Sequence, residues 1–212
     1  MKQVLILGAH GKIAQRVTKN LLAQDVHQKL FLRNSARLSI DDPAKESLIE
    51  GNATSLFDLE QALTGVDIVY ANLAGKIVEE AQNLVAAMKA KKVKRLIWIS
   101  TLGIYDEVPG NYGKWNHEQL DGGYLEAYSK AARVIEDSGL DYTIIRPAWL
   151  TDQEEVDYEL TKKGEVFKGT EVSRKSIADL VTKIIDTPDS FVDDSLGVNK
   201  PNTDGDKPAW YR

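Results

Sequence analysis

Short apolar segments alternate with helical segments along most of the chain, and this alternation limits the possible folds more than any other feature. Strands that are separated by helices are joined by right-handed crossovers and form a parallel sheet that is covered on both faces. We therefore expect an α/β fold with a doubly wound sheet and helices on both faces. The predicted strands are Val4–Leu7, Lys29–Leu32, Ser47–Glu50, Ile68–Ala71, Arg95–Ile99 and Tyr142–Ile145, and the predicted helices are Ile13–Ala23, Leu56–Leu63, Val78–Ala90, Leu125–Asp137 and Lys175–Asp186.

Length and composition narrow the class further. A chain of 212 residues is long enough for one α/β domain with a sizeable core, and we expect a single domain over residues 1–212. The sequence has no Cys and only three scattered His residues, which excludes disulfides and cysteine nucleophiles and predicts no metal site. The net charge of −5 argues against a nucleic-acid-binding surface. The sequence has neither a long apolar run nor a secretion signal, which predicts a cytoplasmic protein without membrane contact.

The first predicted strand runs into a glycine turn that opens the first helix. Glycines permit positive φ and allow a ligand to approach the backbone closely. The N–H groups at the start of the helix have no intrahelical acceptor and, together with the helix dipole, favour a phosphate. A strand, turn and helix in this order predict a Rossmann-like pyrophosphate site for a dinucleotide. The residues assigned to this site are Gly8, His10, Gly11, Lys12 and Ile13.

The end of the second predicted strand distinguishes between NAD(H) and NADP(H). An acidic residue at this point binds the ribose 2′-hydroxyl of NAD(H), whereas an arginine accommodates the 2′-phosphate of NADP(H). Here Arg33 is followed by Asn34 and Ser35, which supply further hydrogen-bond donors, and no carboxylate competes in this segment. We therefore expect NADP(H) to be favoured over NAD(H), with Arg33 and Asn34 in contact with the cofactor.

Two segments and the C-terminal tail interrupt the alternation. Thr101–Gly123 is predicted to be a long connection rich in glycine and aromatic residues, and Trp149–Ser173 is predicted to form a small substrate cap. Irregular segments of this kind usually form the ligand crevice of an open α/β sheet. The tail Gly197–Arg212 is predicted to be extended and to pack Trp210 and Tyr211 either on the body of the protein or on a second subunit, so a homodimer is one of the possibilities.

Further motifs follow the glycine turn and lie at or beside the later predicted strands: Gly51–Ala53, Asn72–Gly75, Trp98–Thr101 and Ser138–Pro147. With the turn and Arg33, they resemble the atypical short-chain dehydrogenase/reductase family, in particular its NmrA-like, flavin-reductase-like and biliverdin-reductase-B-like NAD(P)H-binding members. The resemblance covers nearly the whole chain. It implies adenine contacts from Asn52 and Ala53, ribose contacts from Leu73, Ala74 and Gly75, and nicotinamide-side contacts near Ser100, Thr101, Pro147 and Trp149.

The sequence departs from the superfamily at the catalytic pair. Members typically place Tyr and Lys four residues apart on a helix, where the lysine lowers the pKa of the tyrosine for proton transfer. Here Tyr124 and Tyr128 have that spacing, and Lys130 lies on another side of the helix, so we expect the usual relay to be broken. Three candidates remain: Tyr128 as a hydrogen-bond donor or a packing aromatic, Lys130 as a ribose contact or a solvated charge, and Thr101 as a contact of the substrate carbonyl or a strand-end hydroxyl. His117 is either a proton donor or simply exposed.

Three functions fit these features. The first is an NADP(H)-binding oxidoreductase that transfers a hydride directly to a flavin or quinone-like acceptor, which takes its proton from water and needs no Tyr–Lys pair. The second is a non-catalytic regulator that senses the redox state of NAD(P). The third is a nucleotide-sugar epimerase-like enzyme, for which the C-terminal segment offers little room.

Overall fold

An eight-stranded sheet forms the centre of the computed structural model, which describes residues 1–120 and 122–212. Its strand order is β3-β2-β1-β4-β5-β6-β10-β8, and neighbouring strands are parallel apart from β10 and β8. Two short strands, β7 and β9, form a separate parallel pair. The strands are β1 Lys2–Leu7, β2 Val26–Leu32, β3 Glu46–Glu50, β4 Ile68–Ala71, β5 Arg95–Ile99, β6 Asp141–Pro147, β7 Trp149–Thr151, β8 Glu159–Lys162, β9 Glu171–Ser173 and β10 Asp194–Asn199.

Helices cover both faces of the sheet, and the central strand shows why. Side chains alternate along a strand, so Val4 and Ile6 pack into the layer of α1 and α6, whereas Leu5 and Leu7 pack into the layer of α2, α3 and α5. Each such burial stabilises the fold by about 1.5–3 kcal/mol. In the part of the chain that the structure describes, no helix combines the length and apolar character needed to cross a bilayer. The helices are α1 Lys12–Leu21, α2 Leu56–Ala62, α3 Ile77–Lys91, α4 Gly110–Leu120, α5 Tyr124–Glu136 and α6 Arg174–Asp186.

The structure confirms the predicted doubly wound fold and corrects the predicted C-terminal half. The connection Thr101–Gly123 contains α4, which the sequence obscured because Gly110 and Gly113 are poor helix formers. The segment Trp149–Ser173 forms more than a cap, because β8 within it joins the main sheet in an antiparallel direction. The tail begins later than predicted, since Gly197 lies within β10.

The sequence of β10 explains why it was missed. It reads Asp-Ser-Leu-Gly-Val-Asn and therefore lacks both a continuous apolar run and a clean alternation. The strand is nevertheless mostly buried, between β6 and β8. A Cβ on Gly197 would collide with Thr161 and Phe167, so this glycine serves close packing inside a strand rather than a turn.

Candidate functional site

Two cavities lie at the carboxyl edge of the main sheet. The strand order reverses at β1: β2 and β3 follow on one side of it, whereas β4, β5 and β6 follow on the other. In doubly wound sheets, ligands bind in the crevice outside the strand ends at such a switch point. The topology therefore selects this edge as the candidate site.

The glycine turn after β1 presents backbone donors at this edge. Gly8 has a φ of +72°, and a Cβ there would collide with the carbonyl oxygen of Asn72. A Cβ on Gly11 would collide with the side-chain amide of the same asparagine. Gln15 N donates to Gly11 O at 2.9 Å, and the N–H groups of the three residues before Gln15 have no intrahelical acceptor. The turn thus combines close backbone approach with unsatisfied donors, as a pyrophosphate site requires.

The cavity beside this turn, which we call the glycine-loop cavity, has a volume of about 230 Å³. It runs from the turn across the ends of β2, β3 and β4. The predicted cofactor residues that line it are Gly8, His10, Gly11, Arg33, Asn34, Asn52, Ala53, Leu73 and Ala74, and they are joined by Phe31, Leu32, Arg37, Gly51, Asn72 and Glu80.

Three predicted cofactor residues lie beside this lining rather than in it. The Lys12 ammonium lies 3.2 Å from the Asp152 carboxylate. Ile13 is buried in the layer of α1 and α6, so only its backbone N–H remains for a ligand. Gly75 follows the lining residue Ala74 with a φ of +111°.

Two arginines give the glycine-loop cavity a positive rim. Arg33 and Arg37 both line it and are both exposed. Within residues 1–120 and 122–212, neither guanidinium has a carboxylate within 4.0 Å. Sequence analysis identified only the first, although the second follows four residues later in the same connection. The pair offers two planar donor groups to a phosphate.

The segment after Arg33 differs from the prediction in one respect. Ser35 donates both its N–H and its hydroxyl to Glu50 Oε2, at 2.9 and 2.7 Å. Both bonds hold the pKa of the Glu50 carboxyl below its usual range, and the backbone bond contributes more than the hydroxyl bond. Ser35, which was expected to supply donors to the cofactor, therefore donates to Glu50, which β3 places beside β2 from a distant point in the sequence. Asn34 Oδ1 accepts from Ala36 N at 3.1 Å, which shapes the short turn carrying both arginines.

The turn after β3 forms another side of the cavity. Asn52 N donates to Asp58 Oδ2 at 2.9 Å, and Asn52 Oδ1 accepts from Thr54 N at 3.1 Å. Asn83, on α3, donates from Nδ2 to Thr54 O at 2.9 Å. This hydrogen bond ties one face of α3 to the turn that holds Asn52 and Ala53.

An acidic residue that sequence analysis missed lies on the same face of α3. Glu80 lines the glycine-loop cavity with an exposed fraction of 7%. Burial raises the pKa of its carboxyl, and the nearby Arg33 opposes this shift. In the sequence, Glu80 follows Glu79 in the first turn of a helix, where acidic residues are common for reasons of helix dipole alone. No sequence signal distinguished it.

The second cavity, which we call the aromatic cavity, has a volume of about 350 Å³ and lies at the ends of β5 and β6. It brings together four residues that the resemblance assigned to the nicotinamide side, namely Ser100, Thr101, Pro147 and Trp149. The remaining lining residues are Ile99, Leu102, Leu120, Tyr124, Ala148, Leu150, Arg174 and Trp210.

The C-terminal tail supplies part of the aromatic cavity. Trp210 packs 6.4 Å from Trp149, measured between ring centroids. Tyr211 packs edge-on against Trp115 at 4.9 Å and donates its hydroxyl to Gln119 Oε1 at 2.6 Å. Trp115 in turn lies 4.8 Å from Trp149. The tail aromatics therefore pack on the body of the same chain, through a cluster that includes the unpredicted helix α4.

Polar groups are few in the aromatic cavity. Ser100 has an exposed fraction of 6%, and its Oγ has no partner within the residues that the structure describes. Thr101 is half-buried beside it. Arg174 donates from Nη1 to Asp152 Oδ1 at 2.8 Å. This carboxylate also contacts Lys12, so one ion-pair chain connects the start of α1 to the aromatic cavity.

Tyr124, Tyr128 and Lys130, the residues at the position of the superfamily's catalytic pair, have different surroundings in the structure. Tyr124 lines the aromatic cavity, whereas Tyr128 is 7% exposed and packs in the layer of α3. Their ring centroids are 4.5 Å apart, and burial, followed by Tyr124 itself, raises the pKa of the Tyr128 phenol. Lys130 is exposed and is not among the lining residues of either cavity. His117 is half-exposed on α4, with Nε2 3.4 Å from Asp106 Oδ1.

Within the described residues, no group of three or more His, Cys, Asp or Glu side chains is arranged to hold a metal ion.

A family profile described as NAD(P)H-binding matches residues 8–188, which include every lining residue of both cavities except Trp210. The match begins at the glycine turn and ends after α6.

Two solved structures resemble nearly the whole chain, and a curated relative resembles 71% of it. A Rossmann-fold NAD(P)-binding family protein from Shigella flexneri is 46% identical, with full coverage of both chains and a TM-score of 0.85. A short-chain dehydrogenase/reductase from Veillonella parvula, solved in complex with NADP, is 34% identical, with 99% of each chain covered and a TM-score of 0.92. An uncharacterized sugar epimerase of Bacillus subtilis is 26% identical over 71% of this chain and 73% of its own. The predicted resemblance is confirmed, and the chain belongs to the NAD(P)H-binding family of Rossmann-like, atypical short-chain dehydrogenases/reductases.

Proposed function

We propose that this protein is an NADP(H)-dependent oxidoreductase that reduces a flat, electron-poor acceptor such as a flavin or a quinone. The observation that carries the proposal is the pairing of two unlike cavities at one sheet edge: one with phosphate-binding features, the other with aromatic walls. NADPH supplies a hydride when it is bound. The protein has to hold the cofactor and the acceptor and keep water from the space between them.

The glycine-loop cavity fits a dinucleotide with a 2′-phosphate. The absent Cβ atoms of Gly8 and Gly11 let the turn pack closely on Asn72, and the N–H groups at the start of α1, which have no intrahelical acceptor, are available to a pyrophosphate. Arg33 and Arg37, without ion pairs to other described residues, supply two cations for the additional phosphate of NADP(H). The ribose 2′-hydroxyl of NAD(H) carries no negative charge and would attract these cations much less than a 2′-phosphate does. This difference supports a preference for NADP(H) over NAD(H).

The aromatic cavity fits a planar acceptor. Tyr124, Trp149 and Trp210 supply aromatic faces, on which a flat ring system packs with a gain of about 0.5–1.5 kcal/mol per pair beyond area burial. The hydroxyls of Ser100 and Thr101 are hydrogen-bond donors for a carbonyl oxygen of the acceptor. Tyr128 is buried away from this cavity, and Lys130 is exposed. An acceptor that takes its proton from water suits such a site.

Rapid mixing of the protein with NADPH and a panel of flavins and quinones, without oxygen, tests this proposal. We expect the NADPH absorbance to decrease at a saturable rate with at least one flavin or quinone, and faster with NADPH than with NADH. No oxidation above the protein-free rate for any acceptor would overturn the oxidoreductase proposal.

The placement of Tyr128 and Lys130 also favours a second candidate, a regulator that senses NADP(H) without turnover. Such a protein must bind the oxidised and reduced cofactors with different affinities, because a ligand shifts a conformational equilibrium only by its differential affinity. Titrations with NADP⁺ and NADPH test this directly. Equal affinities would exclude the sensing function and leave the binding site itself unaffected.

A further inference from the structure

A buried carboxyl without a hydrogen-bond donor lies in the glycine-loop cavity. Glu80 lines this cavity, is more than nine-tenths buried, and its Oε2 has no partner within residues 1–120 and 122–212. Buried polar atoms in folded proteins are almost always hydrogen-bonded, because an unsatisfied one is destabilising. On the proposed function, the cofactor fills the cavity that Glu80 lines. A donor on the ligand is therefore the natural partner for this carboxyl.

The position of Glu80 shows which part of a dinucleotide it meets. Residues three apart share a face of a helix, so Glu80 and Asn83 point the same way from α3. Asn83 is hydrogen-bonded to Thr54, in the turn that also holds Asn52 and Ala53. Those two residues line the same cavity as Glu80. Because β3 lies two strands away from β1 in the sheet, the turn after β3 lies on the side of the cavity away from the glycine turn. The base of the nucleotide lies on that side if its pyrophosphate is at the glycine turn.

The charged and ionisable groups around Glu80 leave it available to the base. Arg33 attracts its carboxylate and Glu79 repels it. The Tyr128 phenol is close enough for the charge of Glu80 to act on it. None of the three donates a hydrogen bond to Oε2. Arg33 is also the group proposed to bind the 2′-phosphate.

We propose that Glu80 recognises the base of the cofactor by accepting a hydrogen bond from the exocyclic amino group of adenine. This assignment rests on the proposed NADP(H) site and makes Glu80 a specificity-determining residue within it. Adenine presents a donor at that position, whereas hypoxanthine presents a carbonyl oxygen, which has no proton to offer a carboxylate. Hypoxanthine differs from adenine at two adjacent positions, with an oxygen in place of the amino group and a proton on N1, so we expect the cavity to discriminate between the two dinucleotides.

Binding titrations of the full chain with NADPH and with reduced nicotinamide hypoxanthine dinucleotide phosphate test this, with the fluorescence of the dihydronicotinamide as the readout. We expect the wild-type protein to bind NADPH on the order of 10- to 100-fold more tightly, the usual effect of losing a hydrogen bond to a charged group. Glu80→Gln should bring the two affinities within about threefold, because an amide both donates and accepts. Glu79→Gln is the matched control: this neighbour is half-exposed, pairs with Lys76 at 3.3 Å, and should keep the wild-type ratio.

The wild-type comparison can refute the role of Glu80 without any variant, so the proposal remains falsifiable if Glu80→Gln does not fold. Equal wild-type affinities for the two nucleotides would overturn the role of Glu80. A wild-type ratio that persists in Glu80→Gln would also overturn it and would assign the discrimination to the turn at Asn52 and Ala53. Wild-type protein that binds neither nucleotide would instead overturn the NADP(H) proposal itself, which is a different result.

Discussion

The two cavities lie at one edge of the same sheet but are built in opposite ways. The glycine-loop cavity consists mainly of short turns that directly follow β1 to β4, together with Glu80 of α3. The aromatic cavity combines the ends of β5 and β6 with Tyr124, Arg174 and Trp210, which are far apart in the sequence. Turns that directly follow the strands suit a cavity that always binds the same cofactor. A cavity wall assembled from distant segments can be substituted to fit another acceptor without disturbing the sheet. This difference suits a rigid cofactor half and an adaptable acceptor half.

Substitution of Gly8 should have the largest effect. In Gly8→Ala, the new Cβ meets both a φ of +72° and the Asn72 carbonyl oxygen. We expect loss of NADPH binding and a decrease in the free energy of unfolding of ~2–4 kcal/mol, from backbone strain and steric overlap together. Gly65→Ala is the matched control, because Gly65 has the same φ with no atom within 4 Å of the added Cβ. It should lose only ~1 kcal/mol and bind NADPH normally.

Urea unfolding and NADPH titration of both variants provide the measurement. Equal stability losses in Gly8→Ala and Gly65→Ala would mean that strain alone accounts for the effect and that the turn does not pack tightly on Asn72. In that case the contrast between a rigid cofactor half and an adaptable acceptor half would be lost.

Removal of the Arg33 guanidinium should have the next largest effect. Arg33→Ala should weaken NADPH binding by ~1–3 kcal/mol, the typical value of a charge-assisted contact, and should leave NADH binding nearly unchanged. Arg37→Ala should act in the same direction, because this residue lines the same rim. Lys130→Ala, which removes an exposed cation outside both cavities, should change neither affinity. Equal losses for NADPH and NADH in Arg33→Ala would exclude a 2′-phosphate contact.

Substitution of Trp210, in the C-terminal tail, should weaken the binding of the acceptor and leave the binding of NADPH unchanged. Trp210→Ala removes one wall of the aromatic cavity and should raise the KM for a flavin or quinone by roughly 5- to 20-fold, from loss of ~1–2 kcal/mol of aromatic packing. The Kd for NADPH should remain unchanged. Phe57→Ala is a suitable control, since Phe57 is exposed and lines neither cavity. A parallel increase of the NADPH Kd in Trp210→Ala would show that the two cavities are coupled.

The same contrast explains how far the sequence predicts the structure. The glycine turn, Arg33 and the residues after β3 and β4 were identified because each belongs to a short motif with its own physical signature. Glu80 gave no such signal: a glutamate at the start of a helix resembles a solvated charge until its burial is known. The contact between Glu50 and Ser35 depends on the pairing of β2 with β3. In the aromatic cavity, Trp210 packs beside Trp149, and its neighbour Tyr211 packs against Trp115 of α4, a helix that its own sequence did not reveal.

Removal of the hydrogen bonds between Ser35 and Glu50, which hold the connection after β2, should have the smallest effect on stability. This effect should depend on pH. Ser35 lowers the pKa of Glu50, so the stabilisation is fully present above the ordinary glutamate value of 4.5 and is lost as the pH falls through the lowered value. Ser35→Ala should therefore be slightly less stable than wild type at pH 7, and the difference should disappear in strong acid. Ser39→Ala, an exposed serine in the same connection, should match wild type throughout. Urea unfolding across pH 2–7 measures both, and a difference that grows as the pH falls would contradict the assigned hydrogen bonds.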